Sequence, residues 1–353
     1  VPVLTTVDYR LKEYRQTGFD WFYRAMCETN DVSPDLACER WIADQGAFDF
    51  EKRCVLALHH GSTYSGPTES MLADQFPLMT PDVRGVTAFF KANKSRLLFS
   101  PDAKYRKMVF PKFLQSVGNS LKRYGSLGKL IESCIQKADK KTNYLQLQCL
   151  CFDKWYQWGR MAGWCFSEAL VRIAGVPIEP PTMEFGRHGK SHTNGWAFSI
   201  GRDDLVDKHW SAVDVSMLER SAAEYLERFC ASHPELERAD FFTLETACCN
   251  YKRGHKGTRY QLGYIDEQYD DTMKMMADWP EYEWLWKKYH QARQAVFPDS
   301  MLFENHRDDP VNDSPRAYLH SWTKALCDYG RIPRVEAYFN NQPQRWSEPF
   351  NPQ

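Results

Sequence analysis

Leu145–Gly175 reads LQLQCLCFDKWYQWGRMAGWCFSEALVRIAG, a run whose apolar residues recur at spacings of three and four rather than two. That periodicity is helical. The run is apolar on nearly every face, which places it in a core rather than on a surface. Gly159 and Gly163 are the places where one long helix would break into two, and Gly175 is the expected C-terminal stop. Near its end the run carries Glu168, a charge that burial makes costly unless it is paired or functional. Arg172, four residues on, is the natural partner.

Working outward, the same spacing recurs in WFYRAM near residue 21, LADQF near 72 and LKRYGSLGKLIESCIQ at 121–136. Asp214 reads as the N-cap of VSMLERSAAEYLERFCASH, and ADFFTLETACCNYKR as a helix ending before Gly254. Alternating strands are few, with GWAFSIG at 195–201 the best candidate. Loops are expected at 176–194 and 254–266, arms before about Asp8 and after roughly Pro343, and no repeats are present. The expected fold is mainly α and multi-helical, with few short strands.

The chain has 353 residues, a 43% hydrophobic fraction and a formal net charge of −1. That apolar content is ample for a core, yet no apolar run approaches the roughly 20 residues of a membrane span. The N-terminus VPVLTTVDYRLKEYRQ lacks a basic-then-apolar signal pattern. Eleven cysteines without a CxxC pair fit buried reduced thiols. A cytoplasmic protein is therefore expected. Charge is segregated: residues 91–130 hold ten Lys and Arg against Asp102 alone. YKRGHKGTRY adds Lys252, Arg253, Lys256 and Arg259 with no acid. Any single basic run is usually a solvated helix face, but two that interleave aromatics fit a polyanionic partner.

The stretch His59–Ser70, HHGSTYSGPTES, has the local logic of a helix start, with Ser65 or Gly66 as cap, Pro67 in the first turn and Glu69 completing a box-like motif. A glycine-flanked helix start is also an anion site, to which Ser62, Thr63, Ser65 and Thr68 would add hydroxyls. It is not a Walker loop, because the lysine and glycine spacing are missing.

Four segments, in this order, carry a family likeness: YSGPTESMLADQFP; NKSRLLFSPDAKYRKMVFPKFL; GWCFSEALVRIAGVPIEPPTMEFGRHGKSHTNGWAFSIGRDD; and LETACCNYKRGHKGTRYQLGYIDEQYDD. Together they resemble the α-glutamyl/putrescinyl thymine pyrophosphorylase family, phage amino acid:DNA transferases related to the helical domain of 5-hydroxymethyluracil DNA kinases. The likeness implies an arm at 1–14, a helical transferase domain at 15–275 and a helical extension with a tail at 276–353. It implies a DNA-glycosylase-like fold and a phage-encoded enzyme working in the host cytoplasm on double-stranded DNA. The reaction implied is replacement of pyrophosphate on 5-(pyrophosphoryloxymethyl)uracil by an amino acid or polyamine, after a separate hydroxymethyluracil DNA kinase has acted. The rival classes are a glycosylase-like enzyme acting on modified uracil and a non-catalytic DNA-binding module.

That chemistry needs cations and N–H dipoles around the leaving pyrophosphate. Lys104, Arg106 and Lys107 are the first candidates, Arg187 and Lys190 the second, Lys252 and Arg253 the third. Tyr64, Ser65 and Thr68 would form part of the phosphate wall. The attacking amine must be neutral, so a carboxylate should take its proton, for which Glu168, Glu184, Glu245 and Asp266 are the candidates. A flipped base needs stacking partners, drawn from Tyr64, Phe185, Trp196 and Tyr260, and edge contacts from Asn194 or Asn250. His59-His60 has no second ligand cluster evident in the sequence, so no metal centre is expected. No resident cofactor is implied, although Mg2+ carried on the pyrophosphate would leave little trace in sequence.

Overall fold

The computed structural model describes residues 12–29, 33–77, 79–100, 104–135, 139–186, 190–255, 263–297 and 302. These residues form fourteen α-helices: α1 Arg15–Thr29, α2 Pro34–Gln45, α3 Phe50–Thr63, α4 Gly66–Gln75, α5 Met79–Asn93, α6 Lys104–Tyr124 and α7 Leu127–Cys134. Then follow α8 Lys140–Lys154, α9 Arg160–Ala174, α10 Lys190–Ser199, α11 Ala212–Ser232, α12 Phe241–His255, α13 Gly263–Asp278 and α14 Glu283–Val296. No strand occurs among the described residues, so the class is mainly α.

The run at 145–175 is two helices, α8 and α9, parted at Trp155–Gly159, with Gly159 the N-cap of α9 and Gly175 its C-cap. LKRYGSLGKLIESCIQ is also two. Gly125 adopts φ 86°, which ends α6, and Ser126 Oγ then accepts Lys129 N at 3.2 Å to start α7. GWAFSIG is helical rather than extended, and forms the end of α10. Packing overrides the strand preference of its Trp, Phe and Ile. Gly195 lies against the Cys248 carbonyl of α12, and Trp196 is buried with Nε1 donating to Ser221 Oγ at 2.8 Å. The N-cap of α11 is Ser211, with Asp214 as the reciprocal member of a capping box. The next helix, α12, continues through Gly254 to His255.

Two compact units divide the chain. The first comprises Val1–Val32, Thr182–Asp266 and Phe297–Gln353. Its core gathers on Phe19 of α1, whose ring meets those of Tyr23, Trp196, Tyr225 and Tyr251 at centroid distances of 5.3 to 6.2 Å. Here α10 packs chiefly on α12, and α1 on α12. The second unit comprises Ser33–Pro181 and Glu267–Val296. Its central pairing is α3 on α9, reinforced by α4 on α3 and α14 on α2. The Phe113 and Trp158 rings stack at 4.9 Å, and Trp155 and Phe166 enclose them. Each such side chain contributes roughly 1.5–3 kcal/mol by leaving water. All ten described cysteines are free thiols.

Candidate functional site

In the first unit, chemistry-bearing side chains gather where α10 crosses α12. Gly195 lets the two backbones approach, and on α12 Glu245 and Lys252 lie two turns apart on one face. His192 Nδ1 stands 3.6 Å from Glu245 Oε1, and the Phe185 ring stacks on the imidazole at 5.5 Å. Asn194 Nδ2 donates to Asp207 Oδ1 at 2.7 Å, Asp207 N donates back to Asn194 Oδ1 at 2.8 Å, and Lys252 Nζ lies 3.7 Å from the same carboxylate. Asn250 is buried, and its Oδ1 has no hydrogen-bond partner among the described residues. Upstream, Glu219 accepts Met183 N at 2.8 Å and Phe185 N at 2.6 Å, which fixes a turn in which Glu184 takes φ 56°. Lys190 is exposed at the first position of α10.

A second polar cluster lies inside the second unit, where α2, α3 and α4 meet. Asp49 caps α3, which carries His59, His60 and Thr63 into the core and ends at Tyr64, in the left-handed region at φ 50°. The start of α4 then brings in Ser65 and Glu69. Glu69 Oε2 contacts His60 Nδ1 at 2.9 Å, while Oε1 accepts Thr63 Oγ1 at 3.1 Å and Ser65 N at 2.5 Å. Burial alone would lower His60 and raise Glu69. Their mutual attraction overrides it, holding His60 above its usual value and Glu69 below. One turn apart on α2 stand Asp35 and Glu39. Asp35 accepts Gln268 Nε2 and Tyr289 Oη, each at 2.8 Å, and Gly66 N at 3.0 Å. Glu39 is fully buried, accepts a long contact of 3.4 Å from Ser70 Oγ, and shares a hydrogen bond between carboxyl groups with Glu69. Burial, then the charges of Glu69 and Asp35, push its carboxyl well above the usual range. His59, buried with neither ring nitrogen partnered among the described residues, is pushed down to about 4 by desolvation.

The residues named from sequence fall into both units. In the second, Glu168 is buried on α9, accepts Ser33 Oγ at 3.0 Å and pairs with Arg172 at 3.9 Å. Ser65 is the N-cap of α4 by position, but its Oγ has no partner among the described residues. Thr68 is fully buried, donating to Leu98 O at 2.9 Å and accepting Leu98 N at 3.1 Å. Tyr64 sets its ring edge-on to His60 at 5.3 Å. The helix-start donors Ser65 N and Gly66 N are thus turned to Glu69 and Asp35 of the chain itself. Arg106 lies over the Trp158 ring at 5.2 Å with Nη1 buried and unpartnered among the described residues, and Lys107 Nζ donates to Leu97 O at 2.6 Å. Burial lowers the pKa of both.

The first unit holds Glu184, Glu245, Lys190, Asn250 and Lys252 as described above. Arg187 lies outside the described residues, as do the side chains of Lys104, Arg253 and Asp266, although these three belong to α6, α12 and α13. Tyr260 is likewise outside. The readings of the helix-start phosphate wall, of the stacking platform and of the edge reader change. Trp196 is a core residue, 1% exposed, and so is no stacking platform. Asn194 spends both ends of its amide on Asp207, which removes it as an edge reader. Glu39 and Asp35 were missed. The spacing DLACE, with two acids at i and i+4, was legible in sequence. That it faces His60 was not, since the two helices meet only in the fold.

Comparison with known proteins matches residues 19–260 to the family described as amino acid:DNA transferase. A relative described as a serinyltransferase, from Salmonella phage ViI, is 24% identical over 330 residues, spanning 86% of this chain and 79% of the relative.

Proposed function

Because the chain belongs to the amino acid:DNA transferase family, and so is a transferase, we propose that it displaces pyrophosphate from 5-(pyrophosphoryloxymethyl)uracil in double-stranded phage DNA with the amine of an amino acid. The family match over 19–260 carries this reading, and the serinyltransferase name of the phage relative favours an amino acid over a polyamine. In the reaction the amine nitrogen bonds to the exocyclic methylene as the methylene–oxygen bond breaks. The electron pair leaves with pyrophosphate, and the nitrogen loses one proton. An unprotonated amine and a stabilised leaving group are the two requirements.

The α10–α12 crossing supports both. Glu245, backed by His192, is a carboxylate able to take the amine proton. Lys252, two turns along α12 from Glu245, and Lys190 at the start of α10 supply cations on the same two helices, and Asn250 Oδ1 is an acceptor for a base edge or for the amine. The basic α6, with Lys112, Lys122 and Arg123 exposed along it, suits DNA phosphates, which carry most of the affinity of DNA-binding proteins.

Incubation with kinase-treated hydroxymethyluracil DNA and a panel of amines, amino acids and putrescine, followed by digestion to nucleosides and mass analysis, tests the reading. The expected result is one thymidine derivative carrying an amino acid joined through its amine nitrogen to the 5-methylene, together with released pyrophosphate. Unchanged nucleosides with every amine from a folded protein would overturn it, and free base with an abasic site would make the protein a glycosylase.

A further inference from the structure

Outside the α10–α12 crossing, the second unit holds a group of side chains that the transfer chemistry does not use. Glu39 of α2, His60 of α3 and Glu69 of α4 each offer one ligand-capable atom, and these atoms lie within 4.8 Å of one another. All three residues are buried, at 0%, 2% and 0% exposure. The neighbouring Asp35 is satisfied by three donors, and so stands apart from the group. Glu39 is different in kind: its Oε2 is buried and meets no donor group among the described residues, only the carboxyl of Glu69, while His60 Nε2 and Ser65 Oγ at the start of α4 are buried without a partner among them.

Two carboxylates brought together away from water cannot both stay ionised without a cation between them. The single imidazolium of His60, if formed, balances one of them. A proton on Glu39 shared with Glu69 is one solution; a metal ion is the other. The unpartnered Nε2 of buried His60 favours the second, because a proton shared by the two carboxyls leaves that nitrogen unsatisfied. Each residue comes from a different helix, and no described residue of the cluster is exposed, so the arrangement has the closed character of a structural centre.

We propose that Glu39, His60 and Glu69 bind one divalent first-row transition-metal ion that ties α2, α3 and α4 together. One imidazole nitrogen with two carboxylate oxygens suits Zn2+, Mn2+ or Fe2+, whereas Mg2+ and Ca2+ take oxygen ligands. Glu51 and Asp74, the other acids of α3 and α4, are not part of the group.

The test uses the purified full chain, read without DNA or amine, so its outcome is independent of the transfer reaction. Elemental analysis should find about one ion per chain, and EDTA treatment should lower Tm, with Zn2+ or Mn2+ restoring it. Glu39→Gln is the decisive variant. Its amide can still donate to Glu69, so the fold is retained while the ligand charge is lost. Metal affinity should fall about 10–100-fold or more, and Tm should become insensitive to EDTA and added ion. Co2+ loaded in place of the native ion should show ligand-field absorption that His60→Gln abolishes. A folded chain that neither contains nor binds Zn2+ or Mn2+, or a Glu39→Gln chain that binds as well as the parent, would overturn the proposal and leave the shared proton as the occupant.

Discussion

Asp20 of α1 lines a cleft of about 430 Å³ with Arg24, Arg228 and His233. Burial raises its carboxyl to about 6, against the lowering effects of Tyr225, Arg228 and His233. A raised folded-state value means the protonated form is the one the fold favours. That contribution is complete below the ordinary value of 3.8 and lost as pH rises through about 6. Asp20→Asn should therefore raise Tm at pH 8, with the gain shrinking at pH 5, as thermal unfolding at the two pH values would show. At the same scale, Glu245→Gln keeps the volume and removes the base. If Glu245 takes the amine proton, kcat should fall about 10²–10⁴-fold with DNA affinity nearly unchanged. Equal losses in both would make Glu245 a partner for His192 and nothing more.

At the scale of elements, the crossing of α10 and α12 rests on an absent side chain. A Cβ at residue 195 would collide with the backbone carbonyl of Cys248, which no rotamer change can relieve. Gly195→Ala should cost about 1–3 kcal/mol or more, measured by denaturant unfolding, and should displace Asn194 and His192 from Asp207 and Glu245. Here the sequence reading went wrong for a physical reason. GWAFSIG has the side chains of a strand, but burial of Trp196 and its bond to Ser221 decide in favour of helix. The breaks at 155–159 and after 175 were visible, because Gly159 and Gly175 mark them in the chain itself.

For the whole molecule, a formal net charge of −1 conceals the basic run at 91–130, most of which lies on α5 and α6. If that surface meets DNA phosphates, binding should weaken linearly on a plot of log affinity against log salt, with a slope of about −0.9 for each phosphate neutralised. Lys112→Glu with Lys122→Glu should make the slope shallower without abolishing turnover at low salt. A slope that does not change would move the DNA-binding surface elsewhere. No helix among the described residues is long and apolar enough to cross a membrane.

The chain by itself determined the helical class, most helix ends and the segregation of charge, because periodicity, caps and composition are local properties. It also determined the transferase class, through its likeness to a family matched over residues 19–260. Only the tertiary structure decided which of those side chains meet. Ser65 and Thr68 look like phosphate donors in HHGSTYSGPTES. In the fold, Ser65 N is held by Glu69, Thr68 by Leu98, and the neighbouring Gly66 N by Asp35. The two acids of DLACE look like an ordinary helix face, yet across a buried junction Glu39 meets His60 and Glu69 while Asp35 takes up Gly66 N. Contacts between residues thirty positions apart depend on helix packing, and no local pattern records them.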